Sequence, residues 1–352
     1  MNPTESSASG APPILVTGTH RSGTTWVGHM LALSPDAHYV HEPFAPMHER
    51  SWMRQPPRVR YFHEPPERPG RYADDLDRIV RLQPPWSAIA RRAHRPRDVV
   101  RLAQDATRTA RARRRGARAL LKDPFALLCA EWIAARTDAR TVVLVRHPAA
   151  FAGSVKRLGW RLDVGWLLAQ PELMATHLAA FRDELEQELG RDTDIVDHAA
   201  LVWRALNSVV AEYERHHPDW CVLRYEDLTH APAECFRELY ARVGLEWSPR
   251  VAARVTAWNA AGAGTESDPG SKGTTRRDSR RSIWTWLDRL SPDEIARVRS
   301  ATADLAGRWY GPEDWPASRP LAGPPATGPS AVEGGTPQRP ALDTSTSPGP
   351  RS

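Results

Sequence analysis

The sequence predicts an α/β fold, a central parallel sheet with helices on both faces, and three observations carry it. Short apolar runs such as 14–17 (Ile-Leu-Val-Thr) and 141–145 (Thr-Val-Val-Leu-Val) have the β-branched character of strands buried on both sides. Apolar stretches at helical spacing follow them, and this alternation argues crossover units rather than hairpins. The turn after the first run, Gly18-Thr-His-Arg-Ser-Gly-Thr-Thr, has the G-x-x-x-x-G spacing of a phosphate loop between a strand and a helix. That places the chain in the P-loop-containing nucleotide-binding class, where ligands lie at the carboxyl ends of the strands.

In order, strands are expected over 14–18, 38–41, 119–122, 141–145 and 220–225. Helices are expected over 24–33, 97–115, 125–136, 148–158, 173–189, 195–216, 232–243 and 292–308. The stretch 43–96 contains ten prolines and reads as irregular. Residues 1–12 lack the charged start and apolar core of a signal peptide and are expected to be disordered. A tail over 316–352, rich in Pro, Gly, Ser and Thr, cannot repay its ordering entropy. A single domain over 13–315 remains.

Composition bounds the rest. Of 48 cationic residues only Lys122, Lys156 and Lys272 are lysines, so the surplus of six positive charges reflects heavy arginine usage and says little about partners. The densest run, Arg108 to Arg118, holds six arginines and reads as a solvated helix face, not a nucleic-acid site. Cys129, Cys221 and Cys235 lack metal-ligand spacing and are expected as reduced thiols. No stretch of eighteen apolar residues is present, and a cytoplasmic protein is the simplest expectation.

The loop departs from an ATP-splitting one in a telling way. Thr24-Thr25 stand where Lys-[Ser/Thr] would follow, and the positive charge comes earlier, from Arg21. Backbone N–H groups and the helix N-terminus remain to hold an anion. The strand 141–145 ends in Arg146 where a phosphoryl-transfer protein commonly has a magnesium-binding aspartate. Ser154 follows eight residues later on a helix. An arginine fork with a serine hydroxyl suits a phosphate, so two phosphate positions and no metal are expected.

These segments resemble the sulfotransferases that use 3′-phosphoadenosine 5′-phosphosulfate (PAPS). The family's 5′-phosphosulfate loop, Pro-Arg/Lys-Ser-Gly-Thr-Thr, is matched by His20-Arg21-Ser22-Gly23-Thr24-Thr25-Trp26. Its 3′-phosphate arginine and serine are matched by Arg146 and Ser154. Leu121-Lys122-Asp123-Pro124 is similar to the Lys-Asp-Pro of the Golgi-type branch, and Arg224-Tyr225-Glu226-Asp227 to a segment whose tyrosine lies near the adenine. The resemblance spans about 13–312. It implies PAPS as donor, 3′-phosphoadenosine 5′-phosphate (PAP) as product, and a hydroxyl, or as second choice an amine, of a carbohydrate, glycolipid, peptide or natural product as acceptor.

The resemblance also implies roles. Arg21 suits the leaving phosphate and Lys122 the sulfonate oxygens. The cytosolic branch's histidine base falls on Pro124 here, and Glu42, at a strand end in Val40-His-Glu-Pro-Phe44, matches the glutamate base of other branches. Its rival His41 is expected on the opposite strand face, and the plain alternative for Glu42 is an ion pair with Arg21 that orders the loop. Arg277 and Arg280, before Trp284, are carried over from the last donor-binding loop. Trp52, Tyr61, Phe62, Trp86, Trp160 and Trp166 are aromatic residues of the core or of an acceptor wall. The competing readings are a P-loop small-molecule kinase and a PAPS- or PAP-binding protein without turnover.

Overall fold

The computed structural model describes residues 10–46, 51–91, 96–260 and 283–318. Residues 1–9 and 319–352, most of the two ends expected to be disordered, and the segment carrying Lys272, Arg277 and Arg280 lie outside the described residues.

Five strands, β1 (Ile14–Gly18), β2 (Ala37–His41), β3 (Arg118–Lys122), β4 (Arg140–Val145) and β5 (Cys221–Arg224), form one all-parallel sheet in the order β2-β3-β1-β4-β5. Every residue of β1 and β3 is buried, so side chains alternating to either face both meet protein. The covering helices are α1 (Thr24–Leu31), α2 (Ala73–Val80), α3 (Trp86–Arg91), α4 (Pro96–Arg114), α5 (Ala130–Thr137), α6 (Pro148–Leu158), α7 (Gly165–Leu168) and α8 (Pro171–Thr176). They continue with α9 (Arg182–Glu188), α10 (Ile195–His216), α11 (Tyr225–His230), α12 (Pro232–Arg242), α13 (Pro249–Ala260) and α14 (Pro292–Ala306).

The strand order decides where a ligand fits. From β1 the chain crosses through α1 to the β2 edge, and from β4 it crosses through α6 and α10 to the opposite edge. With right-handed crossovers, α1 and α6 lie on opposite faces. Adjacent β1 and β4 therefore send their following loops apart, which opens a crevice at their carboxyl ends. On the α1 face, Tyr240 of α12 donates to the Met30 carbonyl at 2.6 Å, and Trp26 packs edge-on against Phe236. On the other face, Trp203 of α10 donates to the Arg146 carbonyl at 2.9 Å and steadies the end of β4.

Several element expectations need correction. The proline-rich stretch 43–96 holds α2 and α3; α2 buries Ala73, Leu76 and Ile79 on one face, a helical spacing that the flanking prolines masked. The helix expected from 125 opens as a 3₁₀ turn, Pro124–Cys129, because Asp123 caps it by accepting from the Phe125 amide at 2.9 Å. The helix expected over 173–189 is broken into α8, a 3₁₀ turn at Ala179–Phe181, and α9. Tyr225 begins a short helix, not the end of β5, and α13 was not anticipated. Cys129 and Cys221 are buried free thiols and Cys235 is a half-buried one.

Candidate active site

Gly18 ends β1 with φ 145°, and a Cβ there would meet the Leu144 carbonyl oxygen at 2.4 Å. Only glycine lets the first strand run this close to β4 as the loop begins. Gly23, with φ 97°, caps α1, and a Cβ on it would fall 2.3 Å from the Tyr225 ring. No acidic residue occupies the first turn of α1 and no side chain caps it, so its leading N–H groups face the crevice without a carboxylate.

The loop residues meet those from β4 and α6. Arg21, at φ 67°, donates from Nε to the Ser154 hydroxyl at 3.0 Å, and its carbonyl accepts from Arg146 Nη1 at 2.7 Å. Arg146 lies over the Tyr225 ring, 5.1 Å from its centre, and Tyr225 also packs edge-on against Trp26. Arg21, Ser22, Gly23, Arg146, Ser154 and Tyr225 thus come together at one place. Thr24 and Trp26 are buried behind the loop and Thr25 is half-buried. The Arg21 side chain turns toward the helical serine, so the two expected phosphate positions share one wall.

Three buried polar atoms of the loop and the end of β4 stand without hydrogen-bond partners among the described residues: Thr19 Oγ1, Ser22 Oγ and Arg146 Nε. A buried donor left unfilled costs roughly 1–3 kcal/mol, so these groups stand to gain from a ligand or water that completes them. Two hydroxyls and a guanidinium N–H beside an uncapped helix N-terminus are chemistry that fits a phosphate.

A second cluster forms at the ends of β2 and β3. In the sheet register His41 pairs with Lys122, and the next amide, that of Glu42, donates to the Lys122 carbonyl at 2.8 Å. Glu42 then turns with φ 42°, and its Oε1 accepts from the fully buried Lys122 Nζ at 2.5 Å. That left-handed turn cancels strand alternation: His41 Nε2 is 4.0 Å from Glu42 Oε1, not on the far face as expected. Gly28 of α1 makes room for the lysine stem, since a Cβ there would come 2.9 Å from Lys122 Cγ.

Asp123 holds this cluster from below. Its carboxylate accepts from the Phe44 amide at 2.6 Å and the Phe125 amide at 2.9 Å, so it fixes the turn after Glu42 to the end of β3. Burial, and then the nearby Glu42 charge, push its pKa up to about 7 against the pull of the two amides and Lys122. Thr17 donates to the Asp123 carbonyl at 2.8 Å and ties the same point to β1. On the loop's outer side, His20 is buried against Tyr61, Phe151 and Trp160, and Tyr61 lies 2.6 Å from His20 Nδ1. Burial, helped by the charge of Arg21, lowers the His20 pKa well below its ordinary value, so this ring is a neutral strut.

The chain matches the Sulfotransferase family over residues 12–249. It belongs to that family. Among solved structures, the sulfotransferase domain from the curacin biosynthetic pathway is similar at 16% identity and a TM-score of 0.44, covering 85% of this chain and 99% of that one. Sulfotransferase STF9 from Mycobacterium avium gives 15% identity and a TM-score of 0.41 over 85% of this chain and 77% of that one. STF1 from Mycobacterium tuberculosis H37Rv gives 18% and 0.40 over 85% and 77%. There is no sequence match among curated proteins. As a member of the sulfotransferase family, the chain carries its glycine loop where the family match begins and retains the α/β architecture.

Sequence reasoning missed several residues of this site. Thr19 lies inside the quoted loop, yet its position carries no spacing signal. Asp123 was visible in the Lys-Asp-Pro motif without a role. Lys156 does not join the site: it pairs with Glu294 of α14 at 2.6 Å. Arg118, last of the arginine run, is buried and donates to the Pro12, Val243 and Gly244 carbonyls, whereas Arg108 is 70% exposed. Among the described residues no helix is long and apolar enough to cross a membrane, and no cluster of three metal-ligating side chains occurs.

Proposed function

We propose that this sulfotransferase takes PAPS as donor and moves its sulfuryl group in line to the oxygen of an acceptor hydroxyl, with Glu42 as the base. The observation that carries the donor reading is the cluster of unfilled donors at Ser22, Thr19 and Arg146 beside the open N-terminus of α1. Ser22, Thr19, the N-terminus of α1 and Arg21 hold the 5′-phosphate end, and Arg146 with Ser154 reads the 3′-phosphate. Tyr225 walls the site beneath Arg146. Arg277 and Arg280 are proposed to close the same end.

In the transfer step the S–O bond to the donor phosphate breaks as the bond to the acceptor oxygen forms. Negative charge grows on the leaving phosphate, where Arg21 and the loop amides stabilise it. Lys122 Nζ leaves Glu42 for the sulfonate oxygens, and the Glu42 carboxylate so released takes the acceptor's proton. Positioned bases of this kind contribute about 10²–10⁴ in rate. A kinase reading gains no support from the residues at the end of β4, where Arg146 stands in place of a metal-binding carboxylate.

The test is calorimetric titration of the full chain with PAP, and separately with ATP and magnesium. Metal-independent PAP binding that is much tighter than ATP binding is expected. Indifference to the 3′-phosphate would overturn the roles given to Arg146 and Ser154.

A further inference from the structure

Arg60 lies beside the proposed centre with its charge held in a basket of rings. Its guanidinium carbon is 4.6 Å from the centre of the Trp160 ring, 5.4 Å from Trp166 and 5.6 Å from Phe125. Among the described residues it makes no hydrogen bond or ion pair, and its near contacts are these three rings. Aromatic faces satisfy the flat sides of a guanidinium and leave its edge, with five N–H donors, for acceptors in the plane.

The basket bridges the two halves of the site. Phe125 follows Lys122 by three residues and packs edge-on against Tyr61. Trp160 packs edge-on against His20, the residue before Arg21, at 4.3 Å. Arg60 therefore stands between the segment that presents Lys122 and the loop proposed to hold the donor. Burial lowers its pKa, and the charge of Glu42 is among those opposing the fall, so the two groups lie within electrostatic reach.

We infer that Arg60 is a specificity-determining residue for the acceptor, and that the acceptor is a small hydroxyl compound bearing a carboxylate or similar oxyanion. The fork of Arg60 grips the oxyanion, the neighbouring rings line the body of the molecule, and the hydroxyl is turned toward Glu42. An arginine fork meets a carboxylate through two parallel N–H bonds, and a neutral amide in the same place offers one acceptor and no charge. This inference rests on the sulfuryl-transfer reading above.

The test uses the full chain saturated with PAP, titrated with matched pairs: 4-hydroxyphenylacetate with its amide, glucuronate with its amide, and 10-hydroxydecanoate with its amide. At least one carboxylate is expected to bind tenfold or more tighter than its amide. Arg60→Gln is expected to abolish that preference with PAP affinity unchanged, which also shows that the variant is folded, and Arg60→Lys to restore part of it. No preference in any pair, or a preference that survives Arg60→Gln, would overturn the inference. PAP affinity that falls with Arg60→Gln would overturn it too, by moving Arg60 to the donor side. Failure of the unsubstituted chain to bind PAP would bring down the donor reading and this inference with it.

Discussion

Around the glycine loop, Thr19, Ser22 and Arg146 keep buried donors unfilled, and α1 presents bare N–H groups. On the adjoining strands, at the ends of β2 and β3, the polar groups have already found one another. Lys122 donates to Glu42, the Glu42 amide donates to the Lys122 carbonyl, and Asp123 takes two amides. The proposed donor half already holds its groups apart from one another, open to an anion. The transfer half is closed on itself, and its central ion pair must part before either member acts on a substrate. Binding and chemistry should therefore separate cleanly under mutation.

The sharpest way to break that comparison is Glu42→Gln. Transfer, followed with ³⁵S-labelled PAPS, is expected to fall by roughly 10²–10⁴. PAP affinity should stay within about threefold, because the glutamate's bond to Lys122 belongs to the transfer half. A parallel collapse of PAP binding would mean that the Lys122–Glu42 pair holds the donor site together, and the two halves would no longer be distinct. Unchanged transfer would remove Glu42 as base and leave His41, 4.0 Å away, as the group to test.

The donor half is probed by Arg146→Ala. Losing charge-assisted hydrogen bonds to a phosphate costs about 1.5–3 kcal/mol, so PAP affinity should drop roughly 10- to 100-fold by calorimetry. Adenosine 5′-phosphate, which lacks the 3′-phosphate, should lose less. It should still lose something, because Arg146 also holds the Arg21 carbonyl and the variant loosens the loop. Equal losses for the two ligands would confine Arg146 to that second, structural task.

The two halves were also unequally legible in the sequence. The donor half is built from contiguous signals: two glycines at fixed spacing, an arginine closing an apolar strand, a serine on the next helix. Backbone geometry forces those choices locally, as Gly18 and Gly23 show with their positive φ and absent side-chain space. The transfer half comes from register. Nothing local says that His41 pairs with Lys122 or that Glu42 turns left-handed, and period-two alternation gave the wrong side for His41. Arg60 was invisible for a similar reason. It sits in the proline-rich stretch, and its aromatic partners are about 65 to 106 residues further along the chain.

Gly23→Ala tests the seam between loop and wall. The new Cβ would fall 2.3 Å from the Tyr225 ring and require φ 97°, so the loop or the tyrosine must shift. A loss of about 1–3 kcal/mol in urea unfolding is expected, with PAP affinity reduced as well. Gly28→Ala offers the matching test on the other half, where the lysine stem is in the way. If it lowers transfer and spares PAP binding, the division between the halves is sharpened further.

The smallest expected effect concerns Asp123, whose pKa stands at about 7 in the fold against an ordinary 3.8. Below about pH 3 the carboxyl is neutral in both folded and unfolded chains, and its contribution is fully present. As pH rises, the unfolded chain releases the proton first, so stability drains away until the folded group also ionises near pH 7. Asp123→Asn removes this slope. It also leaves an amide NH₂ facing one of the two backbone N–H groups, so the variant starts from lower stability in acid. The gap between the two proteins, measured by urea unfolding at pH 4.5, 6 and 8, should therefore narrow by roughly 1–3 kcal/mol as pH rises. Parallel pH profiles would mean that the two amides keep Asp123 ionised, and Glu42 would then have to act as a base beside a second permanent carboxylate.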